Sequence, residues 1–187
     1  LLNEGFGFTA FDSHIPSGEK KFGETSMVFD GTADYMTIPD HDDFNFGTGD
    51  FTIECWLKSK DTSDQSWTGI IDRRDAYPEF EGWSLGLSHG TGVPRFHGIA
   101  NTPLSGTTDC FDAEWHHVAI SRTSGTMKLF VDGSLEATEV LSGDVDRDLN
   151  VHIGAGWPNL TGSAGVTEWF GGYIDDVRIT KGLGIYT

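Results

Sequence analysis

The sequence predicts an all-β fold: a two-sheet antiparallel sandwich of the jelly-roll type. Three observations predict it. Helical periodicity is almost absent, and short runs alternating apolar with polar residues recur instead. Those runs stop at Gly, Asp, Asn or Pro. Glycine supplies 25 of 187 residues, about twice the usual share of roughly 7%, and without a Gly-X-Y period it marks turns rather than collagen. The spacing of the runs implies about ten to fourteen strands, the number a two-sheet jelly roll uses.

Residues 26–29 and 35–38 read as the first two strands, with Asp30-Gly31 turning between them. Phe51-Thr52-Ile53-Glu54-Cys55-Trp56-Leu57-Lys58 alternates most clearly. Period two puts Phe51, Ile53, Cys55 and Leu57 on one face, which enters the core, and Thr52, Glu54, Trp56 and Lys58 on the other. Trp56 there either covers a second layer or meets a ligand. Residues 83–87 alternate with small residues, which leaves Trp83 open between core and concave face. Residues 115–121 lead through Ser124-Gly125 into 127–131, and Asp132-Gly133 tips the next hairpin. Residues 151–153 and 172–180 close the set. Trp56 and Trp115 fall in scaffold runs and read as core. The non-alternating stretches 59–82, 88–112 and 154–168 read as loops, where function concentrates.

The chain reads as a single domain, 1–187, with no repeat, linker or low-complexity segment. Lys and Arg total 12 against 29 Asp and Glu, a formal charge of −17. That excludes nucleic acid and an anionic membrane as main partners, since both need a basic footprint. It also leaves carboxylates free for Ca²⁺. No apolar run approaches the ~18 residues of a membrane helix, so no membrane insertion is expected. Spacing does not decide whether Cys55 and Cys110 pair.

Four blocks together resemble a known family. They are Phe29-Asp30-Gly31-Thr32-Ala33-Asp34-Tyr35 with Ile38-Pro39; Phe51-Thr52-Ile53-Glu54 with Trp56; Trp115-His116-His117-Val118-Ala119 with Leu129-Phe130-Val131-Asp132-Gly133; and Gly172-Tyr173-Ile174-Asp175-Asp176-Val177-Arg178-Ile179. In this order they resemble laminin-G-like, concanavalin A-like lectin/glucanase jelly-roll domains. Residues 46–54 and the ending 178–187 resemble the type found in bacteriophage tail-fibre and virion-surface proteins. The resemblance implies glycan or protein binding, often with bound calcium. It also places a structural ion between the N-terminal region and a C-terminal Asp, which maps here onto Asp30, Gly31 and Asp175. Asp176, on the other side of the strand, pairs in this reading with Arg178.

The same sandwich carries glycoside hydrolases, which need paired carboxylates facing a cleft. The related enzymes carry a Glu-x-Asp-x-x-Glu-like run. Glu79-Phe80-Glu81 lacks its middle and third acids, so no catalytic residue is assigned. Adjacent His116 and His117 point to opposite faces of a strand and cannot chelate one ion. The 144–150 segment has the acid spacing of an EF-hand start but Leu149 where glycine is needed and Ala155 where the closing acid is needed, so it reads as a solvated loop. Asp40-His41-Asp42-Asp43 reads as a polar turn.

A sugar presents an apolar C–H face that stacks on aromatic rings and hydroxyls that need polar partners. Trp67, Tyr77, Trp157 and Asn159 supply these in the non-alternating stretches, as either ligand contacts or caps on the ends of the sandwich. The adjacent cations Arg73 and Arg74 either clamp an acidic sugar or pair locally with Asp72, Asp75 or Glu79. The expected function is a non-catalytic, lectin-like adhesion module on a virion or other extracellular surface. It binds host-surface glycan through many weak copies, with structural Ca²⁺ as its cofactor. The rival expectation is a structural or decoration module that contacts neighbouring virion proteins and binds no sugar.

Overall fold

The computed structural model describes residues 9–11, 18–59, 67–75, 81–88, 90–98, 103–141, 143–156 and 168–187. Its strands are β1 (Thr9–Phe11), β2 (Met27–Asp30), β3 (Tyr35–Ile38), β4 (Phe51–Ser59), β5 (Trp67–Arg74), β6 (Gly82–Ser88), β7 (Pro94–His97) and β8 (Leu104–Ser105), followed by β9 (His116–Thr123), β10 (Thr126–Val131), β11 (Ser134–Val140), β12 (Val151–Ile153), β13 (Ala155–Gly156), β14 (Glu168–Trp169) and β15 (Gly171–Lys181). Among the described residues the only helix is a 3-10 turn over Asp42–Phe44, and none is long and apolar enough to cross a membrane. A seven-stranded sheet runs β1-β3-β12-β5-β6-β7-β8. A six-stranded sheet runs β11-β10-β9-β4-β15-β2, and β13 and β14 form a separate ribbon. Every pairing is antiparallel, which makes this a jelly-roll sandwich.

The alternation of β4 sets the core. Phe51, Ile53, Cys55 and Leu57 have no exposure and face Ile71, Trp83, Leu85, Leu87 and Phe96 of the opposite sheet. Phe46 stacks on Phe51 at 4.4 Å and on Trp83 at 5.5 Å, so Trp83 is core. Ser124 and Gly125, then Asp132 and Gly133, take left-handed φ values of 49°, 77°, 49° and 78°. Two successive left-handed residues match the twist of the flanking strands, which is why these pairs make the hairpins. Cys55 and Cys110 are buried and unpaired.

Stretches expected as loops contain strands. β5 lies inside 59–82, β7 and β8 inside 88–112, and β13 inside 154–168, with β14 beginning at its last residue. β5 hides from a period-two reading for two reasons. A register shift between Gly69 and Ile71 brings Ile70 and Ile71 together into the core, and all eight residues are buried because both faces are covered.

Trp56 and Trp115 are half-buried rather than core. Trp56 lies on the outer face of the six-stranded sheet, with the Lys21 ammonium 4.0 Å above its ring and the Phe22 edge at 5.7 Å, so a second layer covers it. On the same outer face buried Glu54 accepts from Arg178 Nε at 2.6 Å, His117 Nε2 at 3.1 Å and the Tyr186 hydroxyl. Arg178 therefore pairs with Glu54, not with Asp176, which sits in a bulge at φ 47°. His116 points away from His117, between Asp132 and Asp112 at 2.7 and 3.0 Å. The 144–150 segment is pinned rather than merely solvated. Val145 is buried, and the Asp146 carboxylate accepts the amides of Phe46 and Gly47 at 2.5 and 2.8 Å.

Candidate functional site

The outer face of the seven-stranded sheet gathers polar and aromatic groups. On β6, Trp83, Leu85 and Leu87 point into the core, so Ser84, Gly86 and Ser88 point outward. Register then aligns Thr37, His152, Asp72, Ser84 and His97 in one row across β3, β12, β5, β6 and β7. Such cross-strand neighbours sit about 4.5–5.5 Å apart at Cβ, close enough to act on one ligand.

The β13–β14 ribbon crosses this face at β5. A Cβ on Gly69 would lie 1.8 Å from the Gly156 nitrogen, so only glycine admits the ribbon. Arg74 ties it down. Its Nη2 donates to Asp72 at 2.5 Å and to Glu168 of β14 at 2.9 Å, and its Nε donates to Asp72 at 2.8 Å. On one side of the crossing the Trp169 ring of the ribbon meets the Tyr35 ring of β3 at 5.6 Å, with His152 6.0 Å from Tyr35. On the other side the Trp67 indole lies over Gly86, where a Cβ would meet its ring at 2.5 Å. The His97 ring meets Trp67 edge-on at 4.6 Å, and the Arg74 guanidinium lies 5.5 Å from the Trp67 centroid.

Burial tunes the charges. Glu168 is pushed up from 4.5 to about 7 by its removal from water, which the Arg74 cation only partly offsets and the Asp72 charge reinforces. His97 is pushed down to about 4 by burial and by the cations of Arg74 and Arg95, so it stays neutral. His152 is lowered by burial, against the pull of Asp72.

Of the residues singled out in the sequence, Trp67 and Arg74 stand on this face. Arg73 does not. One position along the strand it turns inward, has no exposure, and donates to Leu149 O at 2.9 Å, Phe44 O at 2.8 Å, Asp40 at 2.6 Å and Asn45 at 2.7 Å. Those contacts hold the 40–45 and 149 segments together and leave nothing for a sugar acid, which corrects the paired-arginine clamp. Tyr77, Trp157 and Asn159 lie outside the described residues.

The proposed ion ligands do not meet. Asp30 is opposite Gly171, and Asp175 is four residues further along β15, about 13 Å away at the rise of a strand. Their oxygens are also occupied. Asp30 accepts the Thr32 and Ala33 amides and the Thr32 hydroxyl, and Asp175 accepts the amides of Lys21, Phe22 and Asp176. Gly31, at φ 86°, makes the turn and packs on Gly171. These residues do not fit a shared calcium ion. Among the described residues no group of three or more His, Cys, Asp or Glu is placed to hold a metal.

Tyr35, Asp72, Arg95, His97, His152, Glu168 and Trp169 were missed as site residues. Pro94-Arg95-Phe96-His97 did carry a signal, a polar–apolar alternation that puts Arg95 and His97 on one face.

The profile of the Concanavalin A-like lectin/glucanases superfamily matches residues 30–183. No curated protein sequence matches. The fold is similar to the binding domain of Paraclostridial Mosquitocidal Protein 1, at 12% identity and a TM-score of 0.70, covering 96% of this chain and 44% of that one. It is similar to Domain 4 of AbnA, a GH43 extracellular arabinanase from Geobacillus stearothermophilus solved with arabinotriose, at 17% identity and 0.66, covering 95% and 82%. It is also similar to the binding domain of Botulinum Neurotoxin DC in complex with SialylT, at 14% identity and 0.64, covering 96% and 43%. The chain thus spans less than half of either toxin binding domain.

Proposed function

The chain belongs to the Concanavalin A-like lectin/glucanases superfamily, and from that premise we propose that it is a non-catalytic, glycan-binding module that acts on the outer face of its seven-stranded sheet. One observation carries the reading. Aromatic rings flank the Asp72–Arg74–Glu168 cluster on both sides, Tyr35 with Trp169 and Trp67 with His97. Rings for C–H faces beside fixed polar groups for hydroxyls are what a sugar needs. The arabinotriose and SialylT complexes of similar folds support the same class of ligand.

Asp72 and Glu168, bridged by Arg74, do not form a hydrolytic pair in this reading. Asp72 has no exposure and accepts the backbone N–H, Nε and Nη2 of Arg74, so it cannot reach a sugar carbon. The resemblance of residues 46–54 and 178–187 to virion-surface domains supports display on a virion or another extracellular surface, where many copies strengthen weak sites.

The test is a glycan-array screen of the folded, multivalent protein, with Ca²⁺ and again with chelator. Trp169→Ala and Tyr35→Phe remove half-buried groups of the face, and circular dichroism checks their folding. Sugar binding that weakens in Trp169→Ala supports the reading. Loss on chelation alone puts a cation in the site. Absence of binding in every buffer refutes the reading and favours a structural module. That second reading has its own observation: Leu135 and Val140 of β11, at the edge of the six-stranded sheet, are 52% and 76% exposed.

A further inference from the structure

Six buried side-chain nitrogen or oxygen atoms among the described residues have no hydrogen-bond partner: Trp67 Nε1, Trp83 Nε1, Ser84 Oγ, Arg95 Nε, Thr123 Oγ1 and His152 Nε2. Trp83 is in the core, and Thr123 lies beneath Gly184 of the C-terminal segment. The other four stand on the outer face of the seven-stranded sheet. A buried polar group without a partner costs about 1–3 kcal/mol, so four on one face call for a reason.

Three of the four can donate, whereas the neutral His152 Nε2 can donate or accept. Indole Nε1 and guanidinium Nε only donate, and a hydroxyl can donate. Trp67, Ser84 and Arg95 are also neighbours. Arg95 is paired in register with Gly86, the Trp67 ring lies over that same Gly86, and Ser84 is two residues along β6, opposite His97. Trp67 and Ser84 are more than nine-tenths buried, and Arg95 is half-buried.

Charge points the same way. Arg74 is held by two carboxylates and Arg73 is committed in the core, whereas Arg95 makes no ion pair among the described residues. The charged and titratable groups around it are Asp72 and Arg74 on β5, His97 on its own strand, His152 on β12 and Glu168 on β14. Asp72 and Arg74 cancel, and the two histidines are held neutral. With Glu168 ionised these groups sum to zero in a chain of net charge −17, and with Glu168 protonated they leave one cation over.

We propose that the Trp67–Ser84–Arg95 patch is an anion subsite of the glycan-binding face, which takes the negatively charged substituent of an acidic sugar, a carboxylate or a sulfate. The inference rests on the glycan-binding reading above and names its substrate class. Arg95 supplies the charge-assisted donor and Trp67 Nε1 and Ser84 Oγ the neutral ones, with the Trp67 ring seated over Gly86 between them. Glu168 sets the pH dependence. Protonated below about pH 7, it removes the one uncancelled negative charge near Arg95, so anion affinity rises as pH falls from 8 to 6.

The experiment titrates the folded protein with lactose, 3′-sialyllactose and lactose 3′-sulfate after an array carrying neutral, uronic, sialylated and sulfated glycans. Acidic glycans should be preferred, and the sialyl and sulfate arms tell carboxylate from sulfate. Arg95→Gln should weaken acidic-sugar binding by about tenfold to a hundredfold, the worth of a charge-assisted hydrogen bond. Arg95→Lys should recover part of it. Because Arg95 makes no ion pair among the described residues, the melting temperature of both variants should match that of the parent, which separates lost binding from lost folding. Glu168→Gln should flatten the pH dependence. Acidic-sugar binding that survives Arg95→Gln unchanged, or an array that retains only neutral sugars, overturns the anion subsite and leaves the glycan-binding reading standing. An array that retains nothing overturns both.

Discussion

Replacing Glu168 with Gln tests the seating of the ribbon through its pH dependence. An unfolded glutamate gives up its proton near 4.5, whereas Glu168 in the folded protein keeps it to about 7. Between those values the folded state binds more protons, so this group's contribution is full below pH 4.5 and is lost as pH rises through 7. The gap is worth about 3 kcal/mol at about 1.4 kcal/mol per unit, and the side chain is buried enough to need little discount for solvent. His97 opposes it. Lowered to about 4 from 6.5, it favours folding as pH rises over an overlapping window, so the parent's own curve will look flat. The difference between parent and Glu168→Gln removes that cancellation. Urea unfolding followed by tryptophan fluorescence at pH 4.5, 6 and 8 should show the variant gaining on the parent by about 3 kcal/mol across the range. A difference constant to within about 0.5 kcal/mol would refute the reasoning, because Glu168 would then titrate as it does in water.

Three further outcomes are expected. Gly69→Ala drives a Cβ to 1.8 Å from the Gly156 nitrogen, so the ribbon must lift; the unfolding free energy from urea titration should fall by about 2 kcal/mol or more, and Trp169 emission should shift to the red. Arg73→Met leaves the Phe44 and Leu149 carbonyls and Asp40 without their donor, and should cost about 3 kcal/mol in equilibrium unfolding while glycan specificity stays as in the parent. Burial pushes both thiols far above their ordinary range, so Ellman's reagent should label neither Cys55 nor Cys110 at pH 8 until urea unfolds the chain.

What the sequence revealed depended on which surfaces each strand covers. β4 was legible because its two faces meet different surroundings, core on one side and a polar layer on the other, and the hairpin turns because Asp-Gly and Ser-Gly accept left-handed backbone. β5 was not, since the core and the ribbon cover both its faces and Arg73 sits in the interior on carbonyl acceptors that no spacing announces. The adjacent Arg73 and Arg74 looked alike in the sequence. Period two sends one into the core and the other to the outer face, so they never act as a pair. Asp30 and Asp175 matched a family motif, yet strand register holds them apart.

The illegible strand is also the one that builds the site, and for the same physical cause. A binding face on a sheet needs backbone close enough for a second element to lie on it. That removes side chains where the ribbon crosses, at Gly69, and where the indole rests, at Gly86. It also buries charge beside the crossing, and the charge must then be paired, as Arg74 is with Asp72 and Glu168. Glycine in mid-strand and charge in a buried run each erase the alternation by which strands are recognised. Where such a run still ends with its partners satisfied, it is scaffold. The donors left without acceptors at Trp67, Ser84 and Arg95 are the basis of the anion subsite proposed above.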